Sequence, residues 1–146
     1  MNEVKYENYK EQIKRLNLAI KNKFYLEAIF IEYSILEDRT DALLRYSCGG
    51  NIASKYNKIT PRINKLKAVV GDKCFNINKY ISLDLLVRTI EWIDVRNSMI
   101  HALMKRKNST IELETIATHG LELVKILNSK SIAFKKRVDK ITNKEL

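Results

Sequence analysis

The chain has little of what breaks or staples a fold: one Pro, four Gly and two Cys in 146 residues. Two cysteines cannot build a disulfide-dense scaffold, and Cys48 and Cys74 form no C-x-x-C pair. His101, His119, Cys48 and Cys74 lack the close ligand spacings of a zinc site, so no metal or cofactor is expected. Gly49-Gly50 is not followed by the Lys and spacing of a phosphate-binding loop. No uninterrupted apolar run approaches the roughly 20 residues that span a bilayer. The opening MNEVKYENYKEQIKR has no apolar stretch of the signal-peptide kind. The expectation is a cytoplasmic protein with no membrane partner.

The hydrophobic fraction is 45%, too high for a disordered chain, and the length suits a single domain over residues 1–146. Lys and Arg number 27 against 17 Asp and Glu, a net charge of +10. Such a balance suits a polyanionic partner, RNA among them. Lysines spread over solvated helix faces would give the same total.

Apolar residues recur with helical period, and no strand-like alternation or repeat competes with them. Tyr6, Tyr9, Ile13, Leu16 and Ile20 make an amphipathic stripe. A second, more apolar helix spans about residues 24–46 and ends at Gly49-Gly50-Asn51. Thr60 and Pro61 read as N-cap and first position of a short third helix that closes at Gly71. Residues 72–80 read as a loop. Ser82 caps a fourth helix running to about Lys107. Ser109 and Glu112 have capping-box spacing and open a fifth, which either continues through Phe134, Val138 and Ile141 or breaks near Ser129–Ser131. The expected fold is all-α, a compact bundle of four to five helices with its core over about residues 20–130 and a basic C-terminal extension.

Two helices carry polar groups where apolar ones belong. In the second, Glu27, Ser34, Asp38, Asp41 and Arg45 make a solvent stripe, but Glu32 and Arg39 fall on the opposite face among Ala28, Ile35, Leu36 and Leu43. A buried charge is costly unless paired or used. An oligomer interface or an internal ion pair explains this stripe as readily as a functional site. In the fourth helix Leu86, Ile90, Ile93, Ile100 and Met104 define an apolar arc that includes Asn97. Arg96 and His101 flank it, about 140° apart.

The string Arg96-Asn97-Ser98-Met99-Ile100-His101 resembles the RxxxxH motif of the HEPN superfamily. Those domains are all-α bundles whose motif lies late in a long helix of the second half, as here. The resemblance covers roughly residues 20–130 by helix order. It implies a metal-independent endoribonuclease acting as a two-fold homodimer, with two motifs meeting in one cleft, in toxin–antitoxin or abortive-infection settings. A neutralising antitoxin or regulatory protein is then an expected partner. His101 would serve as proton donor or acceptor, Arg96 would grip phosphate oxygens, Asn97 would orient a motif side chain or the scissile phosphate, and Glu32 would pair with Arg96 or the partner copy's histidine. Leu103 stands where some family toxins carry a Tyr that is modified by a partner enzyme. The alternative is a non-catalytic HEPN-like module that binds RNA or protein.

Arg39 and the run Lys105-Arg106-Lys107, one turn beyond His101, are candidate RNA contacts. Lys135-Lys136-Arg137 with Lys140 forms a second basic cluster, read as a solvated helix end. His119 reads as a surface residue and Trp92 as packing at an interface.

Overall fold

The computed structural model describes residues 3–103, 105 and 110–144. Among these there is no strand, and the all-α expectation holds. The helices are α1 (Glu3–Lys21), α2 (Tyr25–Cys48), α3 (Gly50–Ala53), α4 (Ile59–Gly71), α5 (Leu83–Ala102) and α6 (Thr110–Lys144), with a 3-10 helix at Cys74–Lys79.

Local chemistry sets most boundaries. Gly49, at φ 92°, ends α2 in a backbone region that disfavours side chains, and its N–H donates to the Arg45 carbonyl at 2.9 Å. The Ser82 hydroxyl accepts from the Leu85 N–H at 3.0 Å, the expected cap of α5. The start of α4 is corrected: its N-cap is Lys58, which places Pro61 third rather than first in the helix. First-turn N–H groups lack helical acceptors, so a proline fits there equally well. The end of α5 is also corrected, to Ala102 instead of about Lys107. The interval 72–80 is not a plain loop; Lys73, Phe75 and Asn76 adopt left-handed φ of 49–57° around the 3-10 turn. The last helix runs unbroken through Ser129–Ser131 over 35 residues. The proposed Ser109 cap lies outside the described residues.

Contacts divide the chain into two compact units, with α2, α5 and α6 each contributing to both. The first runs to Ser34 and takes in Trp92–Glu122. Leu16, Ala28, Ile29, Ile93, Met99 and Ala117 are buried in it. Its α5 segment is rotated from the expected arc. Trp92 is buried and donates its indole N–H to the Ile116 carbonyl at 2.8 Å, while Ile100 and Asn97 are only half-buried. A buried indole needs an acceptor, and the Ile116 carbonyl supplies it.

The second unit comprises Ile35–Glu91 and the chain from Leu123 on. Leu36, Leu43, Ile63, Leu66, Ile77 and Phe134 form its interior. Burying each such side chain is worth about 1.5–3 kcal/mol. Buried Arg62 ties it together, donating to the carbonyls of Glu37 (2.9 Å), Tyr56 (3.2 Å) and Asn57 (3.5 Å). Asp41 lies 3.9 Å from it.

Candidate functional site

Arg96 and His101 occupy the last two turns of α5, in the first unit. The half-buried Arg96 lies with its guanidinium carbon 3.9 Å from the centroid of the Tyr33 ring and 5.8 Å from that of Phe30, both on α2. A delocalised cation is attracted to an aromatic face, which fixes the plane of the fork. Its Nη1 donates to the Asn97 Oδ1 at 3.0 Å, while Nε is enclosed without an acceptor. Asn97 is therefore the side-chain acceptor of the Arg96 guanidinium. His101 is exposed five positions further on. The sequence reading missed Tyr33 and Phe30; their signal was the spacing of three that stacks two aromatics on one face.

Glu32 has 0% exposure, and neither carboxylate oxygen has a hydrogen-bond partner. The expected pairing with Arg96 is therefore not made within the chain. Arg96 instead lies against the neighbouring Tyr33. Burial without a counter-charge penalises the ionised form and raises the Glu32 pKa from 4.5 to about 9. The side chain is a neutral acid at pH 7, enclosed rather than facing a substrate. Gly120 of α6 makes room for it. A Cβ there would come within 2.7 Å of Trp92 Cζ2 and of Glu32 Cδ.

Arg39, in the second unit, is corrected as an RNA contact. It is 4% exposed and ion-paired with Asp38 at 2.8 Å, so no face of it is presented to a phosphate chain. Lys105 is exposed after the end of α5; Arg106 and Lys107 lie outside the described residues. His119 is exposed, as expected.

A groove of about 510 Å³ adjoins the motif, lined by Val95, Ser98 and Met99 of α5 and Ile111, Thr115 and Ile116 of α6, with Asp94 and Glu112 beside them. Val95 and Ile111 are 51% and 75% exposed. Large apolar side chains standing open together mark a surface suited to covering by another chain. Among the described residues no group of His, Cys, Asp and Glu is arranged to hold a metal ion. No helix among them is long and apolar enough to cross a membrane.

No protein-family model, no curated protein and no solved structure matches this chain.

Proposed function

We propose that the protein is a HEPN-type, metal-independent endoribonuclease that works as a homodimer and serves in defence or as a toxin. The observation that carries this reading is the state of the motif. Arg96 is clamped by Tyr33 and Asn97, while the imidazole of His101 stands open at the end of the same helix.

The chemistry needs both groups. When the 2′-OH of RNA attacks the adjacent phosphorus, a base removes its proton and an acid protonates the departing 5′-oxygen. The products are a 2′,3′-cyclic phosphate and a 5′-hydroxyl. Histidine suits either proton role near neutral pH. One His101 per protomer supplies one role, and a second copy across a two-fold axis supplies the other. A preoriented guanidinium stabilises charge developing on the phosphorane oxygens without reorganising. Glu32 takes no proton-transfer role in this scheme, since its carboxyl is enclosed without a partner.

The test is cleavage of end-labelled single-stranded RNA in excess EDTA. Wild type should cut, while His101→Ala and Arg96→Ala should not, with helical circular dichroism unchanged. Cutting by either variant at the wild-type rate would refute the assignment. The open apolar groove favours a second reading, a non-catalytic module that binds RNA or protein, for which RNA is bound or ignored but never cut.

A further inference from the structure

The second basic cluster, read from sequence as a solvated helix end, lines a groove in the second unit. Ala133, Lys136, Arg137, Lys140 and Ile141 project from one face of α6, with Tyr80 completing a recess of about 280 Å³. The spacing follows the helix repeat, so consecutive turns deliver Lys136 and Lys140 about 6 Å apart along the axis. Arg137 is braced: its Nε donates to the Phe75 carbonyl at 3.0 Å. That carbonyl belongs to the stretch in which Phe75 and Asn76 hold left-handed backbone, a conformation that costs non-glycine residues energy. Tyr80 is held against Phe134, ring centroids 5.9 Å apart.

No carboxylate lines the recess, and among the described residues none lies within ion-pair distance of Lys136, Arg137 or Lys140. Like charges four residues apart on a helix destabilise it. Lys136 and Lys140, both exposed on the recess, are such a like-charge pair, with Asp139 the only acidic residue beside them on this stretch of the helix.

We infer that this recess is a binding site for the phosphodiester backbone of single-stranded RNA, with Lys136 and Lys140 contacting successive phosphates and Tyr80 offering a ring for a base. A single strand combines regularly spaced charge with stackable faces, which is what the recess presents. The inference deepens the ribonuclease reading by naming where substrate backbone is held, but its test needs no cleavage.

The probe is a short, fluorescently labelled 2′-O-methyl oligouridine, which lacks the 2′-OH that cleavage requires. Binding is followed by anisotropy from roughly 50 to 200 mM KCl, where each phosphate contact on a single strand contributes about −0.7 to the slope of log K against log salt. Lys136→Ala/Lys140→Ala should flatten that slope by about 1.4 and weaken binding at the lowest salt by tenfold or more. Lys55→Ala/Lys58→Ala, the same charge change at exposed positions elsewhere, should leave the slope within experimental error of wild type. Equal slopes for the two double variants, or no oligonucleotide binding by wild type, would overturn the inference. So would loss of binding to pyrophosphate or to phosphatidylserine vesicles in Lys136→Ala/Lys140→Ala with RNA binding intact; the recess would then take a small anion or a lipid headgroup. Oligonucleotide binding through the recess, with no cutting of natural RNA, would refute the nuclease reading alone.

Discussion

Glu32→Gln isolates the energetic consequence of burying a carboxyl with no partner. The folded-state pKa of about 9 lies above the ordinary 4.5. Between those values the folded protein holds a proton that the unfolded chain has released, so stability falls as pH rises. The slope is about −1.4 kcal/mol per pH unit, and the stabilising state is complete only below the unfolded value. Glutamine keeps the shape and the unmet hydrogen bonds but does not titrate. Stability from urea unfolding of wild type minus that of Glu32→Gln should therefore drop by roughly 3 kcal/mol between about pH 5.5 and pH 7.5. The difference cancels other titrating groups, the two histidines included. A flat difference across that range would show that the folded carboxyl is ionised and has a partner, and the reasoning from burial would fail.

Gly120→Ala should cost stability although alanine is the better helix former by roughly 1 kcal/mol. The added methyl meets Trp92 and Glu32 at distances real contacts do not reach, and relieving that overpacking costs about 1–3 kcal/mol; thermal unfolding reads the balance, and a gain in Tm would show that the helices yield freely. Arg62→Met strips donors from the part-buried carbonyls of Glu37 and Tyr56 and should lower stability by about 1–3 kcal/mol in urea titrations. Tyr33→Leu removes the face on which Arg96 rests and should lower kcat/KM for RNA about tenfold with circular dichroism unchanged, whereas Tyr33→Phe should retain activity.

Helical periodicity and capping chemistry made much of this fold legible. The Ser82 cap, the Gly49 stop and the inward face of Glu32 and Arg39 on α2 each follow from one residue type at one spacing. What stayed hidden depends on partners distant in the chain. Arg62 bonds backbone carbonyls, which carry no sequence signature. The buried Trp92 indole has the Ile116 carbonyl as its acceptor, which apolar counting does not anticipate. The left-handed turn at 73–76 contains no glycine to announce it. At the site, the motif positions were legible because RxxxxH is local. The spacing of Tyr33 and Phe30 marked an aromatic face, but not the helix it meets, since cation–π packing joins α5 to α2. Arg39 faces inward as its position predicts, but its ion pair with the adjacent Asp38 depends on side-chain conformation, which helix spacing does not give.

The central claim is that His101 and Arg96 cut RNA without a metal. Incubating wild type and His101→Ala with end-labelled single-stranded RNA in excess EDTA tests it most directly. Wild type should release fragments ending in 2′,3′-cyclic phosphate, and the variant should leave the RNA intact. Equal cutting by both proteins, or intact RNA with folded, dimeric wild type across a panel including tRNAs, would contradict it.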